Sequence, residues 1–339
     1  MRRRTLLPIL AASFAFGAAG QGFDSQAVAE GLSTGDTASI QRARSQAVEY
    51  LASPTLRVQQ RLEADDALRP ALGQALASED EFRTVNALLV MGHLVTPTSL
   101  QAVTPYLEDP RPGVKYAAYK AMRTSLNILS QQAAPSLQPN AALDAFGSLV
   151  EAVEAQTDPI AIEGGLRAIA AADRVSAQNL RQLEEAARRA LPTVASLHAE
   201  RLESQDDPED YRVLIGAMLY AMLELRIAIN APDARFSDEA LTSAASLGGA
   251  VLSHAYTAYE AAGGISSIDD DRRELLGQAI AASETLVYFA LRGLGTDAQP
   301  TGLAATFQSE DDRGFRAGIL RIIGPTGILQ RNGIQVAGG

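Results

Sequence analysis

Between residues 97 and 126, PTSLQAVTPYLEDPRPGVKYAAYKAMRTSL, apolar positions recur at helical spacing on both sides of a turn-forming break. Leu100, Val103 and Leu107 share one face of a first helix. Val114, Ala117, Ala118, Ala121 and Met122 follow i, i+3, i+4, i+7 and i+8 in a second. Asp109, Pro110, Pro112 and Gly113 punctuate the turn. The same order occurs 32 residues earlier, where Phe82-Arg83 stands in the place of Val114-Lys115. There a helix over Asp66 to Leu76, with Pro70 inside it, leads through Ser78 to Glu81 into the apolar run Val85 to Met91, closed by Gly92. The pattern predicts two consecutive helical hairpins of one kind.

Elsewhere the period is helical but the units are longer. A helix is expected from Thr37 to about Ala52, with Ile40, Ala43, Ala47 and Leu51 inward and Asp36 or Thr37 at its start. Ser53-Pro54 ends it, and Leu56 to Leu62 begins another turn or two. The rhythm lapses between Asn127 and Asn140, then resumes over Ala141 to Ala155, and again in a helix carrying Ile162, Leu166 and Ile169. Further helices are expected over Ser176 to Leu202 with Pro192 inside, Val213 to Ile229, Asp238 to Ala262, and Asp269 to Leu291. Ser309 to Ile323 echoes Ser78 to Met91 in its acidic lead-in and Phe-Arg opening. Near the end, Ile328 to Arg331 and Ile334 to Val336 flank Asn332-Gly333, which suits a two-residue β-hairpin turn. A tail without fixed structure is the alternative.

Asp-Pro pairs stand at 109, 158 and 207, each 49 residues from the next. Equal spacing of the turn before each second helix is what a helical array predicts, because each unit buries the same face against its neighbour. Pro105 in the first helix, the Asp109-Pro110 turn, and Val114-Lys115 opening the second helix resemble a HEAT repeat. That resemblance implies an all-α fold: an α-solenoid or irregular superhelix of HEAT-like, armadillo-type hairpins. It implies protein binding along a surface made by the second helices, without a cofactor. The structural positions carried by it are Pro105, Asp109, Pro110, Val114, Lys115 and Ala118. The chain then divides into a signal peptide (1–20), a flexible lead-in (21–36), HEAT-like repeats (37–130), degenerate repeats (131–324) and a tail or small hairpin (325–339).

The N-terminal division rests on charge order. Arg2, Arg3 and Arg4 precede an apolar run from Leu6 to Phe16 and the small residues Gly17 to Gly20, the order of a secretory signal. The expected location is exported, periplasmic or secreted. The apolar run is well short of the roughly 20 residues that span a bilayer, so no stable membrane insertion is expected after cleavage. Cleavage would remove those three arginines and move the formal charge from -11 to -14. An acidic chain is poorly suited to nucleic acid, so a protein partner is expected instead.

Composition narrows the chemistry. Without cysteine there is no disulfide, thiolate nucleophile or zinc-thiolate site, and without tryptophan a carbohydrate platform is weakly supported. His93, His198 and His254 fall in separate helical units. The acidic clusters at 79–81, 206–210, 269–271 and 310–312 lack the spacing of a calcium loop and stand where helices begin, so they are read as caps. Gly164-Gly165 and Gly248-Gly249 lie within helices and are read as close helix contacts; Gly263-Gly264 ends one. No catalytic, cofactor or metal residues are assigned.

The candidate partner-binding residues are Tyr116, Tyr119, Lys120 and Arg123, because tyrosine and arginine favour interface centres. Tyr106 lies close by in sequence. The bland alternative makes them the solvated outer face of the second helix. The expected function is a non-catalytic scaffold. Two alternatives stand: a helical hydrolase or lyase with carboxylates converging in a pocket, and an envelope structural protein with uniformly polar faces.

Overall fold

A computed structural model describes residues 23–336, apart from 54, 133–136, 176, 233 and 234. The signal-peptide reading of residues 1–20, Ala133-Ala134-Pro135 and the final glycines lie outside the described residues.

Helices pair along the chain as hairpins: α1 (Ser25–Thr34) with α2 (Thr37–Leu51), α3 (Val58–Leu76) with α4 (Glu81–Leu94), and α5 (Pro97–Val103) with α6 (Pro112–Ser130). α7 (Pro139–Glu154) then pairs with α8 (Pro159–Asp173), α9 (Arg181–Ala199) with α10 (Pro208–Ile229), and α11 (Asp238–Ala262) with α12 (Asp270–Gly293). The even-numbered helices from α2 to α12 pack in sequence as one layer. The odd-numbered helices form the other, with α1 packed on α3 and α7 through α9 to α11, while the short α5 meets α7 only lightly. α13 (Leu303–Gln308), α14 (Asp312–Ile323) and α15 (Ile328–Arg331) close the C-terminal end against α11 and α12. The fold is an all-α solenoid of HEAT-like hairpins.

Local chemistry sets most helix starts. Asp36, Asp80, Asp158, Asp207, Ser237, Asp269 and Asp311 each accept a hydrogen bond from a backbone N–H in the first turn. The acidic clusters therefore cap helices. Asp109 differs: it accepts from the Arg111 N–H and guanidinium, and Arg111 occupies the cap before Pro112. The Asp-Pro spacing of 49 thus marks the same structural position at 158 and 207, but sits two residues earlier at 109.

Side-chain bonds between neighbouring hairpins explain the two spacings. From α3 to α6 several span 30–33 residues: Arg61 to the His93 carbonyl, Tyr106 to that of Leu76, Ser125 to that of Gly92; Arg83, reaching back to the Ser33 and Gly35 carbonyls, spans 50 and 48. Further along they span 43–50, as in Tyr211 with His254, Arg201 to the Gln156 carbonyl and Arg174 to Glu224.

Four expectations are corrected. Residues 25–34 of the presumed flexible lead-in are helix α1, capped by Asp24, with Val28 and Leu32 buried. Leu56–Leu62 and Asp66–Leu76 are not separate: α3 runs unbroken from Val58 to Leu76, with Pro70 on its solvent-facing side. Gly92 does not close α4, which continues to Leu94. The C-terminal β-hairpin is absent. Ile328–Arg331 is a helical turn, and only Gly333 takes positive φ, at 70°. Its chain reversal brings the Ile334 N–H to the Leu329 carbonyl at 3.0 Å, the closure of a helix end. Ser246 then binds the Gln335 carbonyl, and Leu329 and Ile334 are buried, so this segment covers the last apolar face.

Gly92 instead permits the crossing of α4 and α6. A Cβ there would stand 2.8 Å from both the Cα and the carbonyl oxygen of Ala121. Backbone cannot yield as a side chain does. Gly92→Val is expected to destabilise the chain by about 1–3 kcal/mol, read as a lower urea midpoint; an unchanged midpoint would contradict this crossing. The paired glycines act similarly, Gly165 against Val153 and Gly248 against Val287.

A candidate binding face on the second helix layer

The helix after each turn buries one side and leaves another uncovered. On α6 the uncovered positions are Tyr116, Lys120 and Arg123, at i, i+4 and i+7. On α8 they are Ile160, Glu163 and Arg167, with Arg174 just beyond the helix. On α10 they include Tyr220, Leu223, Arg226 and Ile227. Large apolar side chains concentrate here: Tyr116 is 46% exposed, Ile160 49%, Leu223 41% and Ile227 58%.

Tyr119 does not belong to this face. It is fully buried, with its Cβ 3.3 Å from the point a Cβ on Gly164 would occupy. The missing side chain at Gly164 lets α8 approach α6 and enclose the ring. Burial pushes the Tyr119 hydroxyl well above its ordinary pKa. Of the four sequence-predicted residues, Tyr116, Lys120 and Arg123 remain together on the surface. Tyr106 is spent on the Leu76 carbonyl at 3.0 Å.

The centre of the face is Tyr220, which the sequence reasoning missed. The Arg167 guanidinium carbon lies 4.4 Å from its ring centroid, a cation–π contact. Arg174 binds both oxygens of Glu224 at 2.6 Å, a bidentate pair across α8 and α10. Burial raises the Tyr220 pKa and Glu224 adds to the rise, while Arg174, Arg123 and Arg167 act in the opposite sense. Arg167 of α8 thus touches a phenol of α10 that the charges of Arg174 and, from α6 nearly 100 positions earlier, Arg123 also influence. Beside it, Leu219, Leu223 and Arg226 of α10 face Gln278, Ala281 and Thr285 of α12 across a groove of about 470 Å³. One signal was available: α10 is apolar on almost every side, more than a single buried stripe requires.

No family model matches the chain, and no curated protein matches it. Solved structures do resemble it. One is an engineered protein, 15% identical over 78% of this chain and 97% of that one, with a TM-score of 0.40. Another is a designed armadillo repeat protein in complex with the peptide (KR)4, 15% identical over 86% of this chain and 98% of that one, with a TM-score of 0.33.

Several buried ionisable groups away from this face have structural partners. The His198 Nε2–H donates to the Val153 carbonyl at 2.8 Å, and burial pulls the ring's pKa down to about 4. His254 shares a 3.1 Å hydrogen bond with the Tyr211 hydroxyl, while Arg272 stacks on the tyrosine ring at 4.8 Å; burial pulls His254 to about 4 as well. His93 is lowered by burial and by Arg61. Buried Glu284 lines a 230 Å³ cleft with Tyr288, Arg321 and Arg331. Its carboxylate accepts from the N–H groups of Thr301, Leu303 and Ala304, anchoring the start of α13. Asp65 accepts from the Thr96 hydroxyl and Arg69, and Asp173 from Arg188.

Proposed function

We propose that the protein is an exported, non-catalytic scaffold that binds a protein partner along the even-numbered helix layer, from α6 to α12. The observation carrying this reading is the Arg167–Tyr220 contact and the Arg174–Glu224 pair between α8 and α10, beside an apolar groove and a row of exposed Tyr, Ile and Leu side chains. Tyrosine, arginine and uncovered apolar groups together are what interface centres are made of. A structural protein with uniformly polar faces would not concentrate them on one layer. The engagement of Asp65, Asp173 and Glu284 in helix-to-helix bonds supports the non-catalytic part. Export rests on the basic, apolar and small-residue order of residues 2–20.

Selection from a charge-unbiased peptide display library, followed by fluorescence anisotropy, tests the face. Leu223→Asp places a charge at an exposed groove position where folding is not at stake, which circular dichroism checks. Selected peptides are expected to bind this variant at least about fivefold more weakly than the parent, the loss of one interface anchor. Peptides that bind parent and variant alike, or a selection that returns none, would overturn the assignment.

A further inference from the structure

The charge of the proposed face is opposite to that of the chain. Around Tyr220, on α6, α8 and α10, Lys120, Arg123, Arg167, Arg174 and Arg226 lie against Glu163 and Glu224, five cations to two carboxylates, in a protein of formal net charge -11; Glu274 of α12, bound by Gln278, stands at the far side of the groove. Both carboxylates are already used: Glu163 binds Arg167 at 2.8 Å and Glu224 binds Arg174 at 2.6 Å. Lys120, Arg123 and Arg226 make no salt bridge among the described residues. In the other layer, α7 carries Asp144, Glu151 and Glu154, and α11 carries Asp238, Glu239 and Glu260, without a lysine or arginine in either helix. The separation is local to these helices: α9, in the same layer as α7 and α11, carries Arg181, Arg188 and Arg189 against Glu184 and Glu185.

We propose that the partner is an extended acidic segment of a protein, its carboxylates meeting Lys120, Arg123 and Arg226, with a bulky apolar side chain in the α10–α12 groove. This rests on the scaffold reading of the same face and names the chemistry of what it holds. Charge complementarity selects the sign, because a basic segment would meet three uncompensated cations. The groove selects the apolar residue: Leu219, Leu223 and Ala281 line it, and its 470 Å³ exceeds one side chain. Geometry bounds the length. Helix neighbours lie roughly 10 Å apart, so crossing from α6 to α12 covers about 30 Å, or about nine residues of extended chain at ~3.3 Å each. Arg167, held over Tyr220, spends its Nε and Nη2 on Glu163, so the contacts to a partner's carboxylates fall to Lys120, Arg123 and Arg226.

The test uses the purified full chain and fluorescein-labelled peptides about twelve residues long. One alternates glutamate with leucine, a second replaces each glutamate by lysine, and a third replaces each leucine by alanine. The glutamate-leucine probe is expected to bind, and to weaken severalfold as salt rises from about 0.05 to 0.3 M, because exposed charges are screened. The variant K120E/R123E/R226E, changed at two exposed positions and one half-buried one that makes no salt bridge, and checked for folding by circular dichroism, is expected to lose tenfold or more. The alanine probe should lose severalfold against the parent.

Equal binding of the lysine probe, or undiminished binding by the charge-reversed variant, would overturn the proposal. So would a labelled oligonucleotide that displaces the acidic peptide. Self-association of the parent that the variant abolishes, read by analytical ultracentrifugation, would give the face to a second copy and overturn it too. Neutral or basic peptides that still depend on Leu223 would overturn the acidic partner and leave the scaffold reading intact. Peptides of every charge insensitive to Leu223→Asp would overturn both.

Discussion

Tyr119→Ala is expected to destabilise the protein by about 3–5 kcal/mol, whereas Tyr116→Ala, three residues away on the same helix, should stay within about 0.5 kcal/mol of the parent. The first ring fills the space that Gly164 opens between α6 and α8. Removing it leaves a cavity at a joint between hairpins, and that joint cannot collapse without moving α8. The second ring is 46% exposed and meets α8 only at its edge, Cδ2 lying 3.8 Å from the point a Cβ on Gly164 would occupy. Because each repeat leans mainly on its neighbours, the loss should be local. Hydrogen exchange should show α6 and α8 opening in Tyr119→Ala while α1 and α2 keep their protection. Tyr119→Phe removes only a buried hydroxyl and is expected to fall within about 1 kcal/mol of the parent. If both alanine variants behaved alike, the placement of Tyr119 in the core would be wrong.

Acid is the second large lever. His198 and His254 are held near pKa 4 by burial, against 6.5 when unburied. Between those values the unfolded chain binds protons that the folded chain refuses, so stability rises with pH across the window and falls on acidification. Integrated over the full window, each histidine contributes on the order of 3 kcal/mol of lost stability by pH 4. Asp173 acts the other way, since burial raises its pKa despite Arg188. The two histidines outweigh this single carboxyl, which offsets only part of the fall. Urea midpoints taken between pH 7 and 4 should drop steadily. In the double variant H198Q/H254Q the curve should be lower at pH 7 but flatter below 6.5. A double variant as steep as the parent would mean that other groups carry the acid sensitivity.

Much of this architecture was legible because it is local. An N-cap needs a short polar side chain within three residues of a free N–H, so Asp36, Asp80, Asp207, Ser237 and Asp269 announce their helices from sequence alone. Inward faces follow from the 3.6-residue period: Ile40, Ala43, Ala47 and Leu51 are all buried as expected. Where the period is weak, neighbours decide. The gap expected between Leu62 and Asp66 is bridged by α3, and Asn332-Gly333 finishes a helical turn because α11 offers Ser246 and an apolar surface to the residues around it.

The candidate site was half visible for the same reason. Tyr116 and Tyr119 are one helical turn apart, and the boundary between surface and core passes between them. Helical spacing cannot place that boundary, because it depends on how closely α8 approaches. Composition likewise records a chain of net charge -11 without saying where the charges go. Residue order along the chain specified the helices, their caps and the hairpin repeat, all of which depend on contacts within a few residues. The contact of Arg167 with Tyr220, within the influence of Arg174 and Arg123, required packing across three hairpins, since the register between helices follows from loop lengths and buried contacts that no local pattern contains.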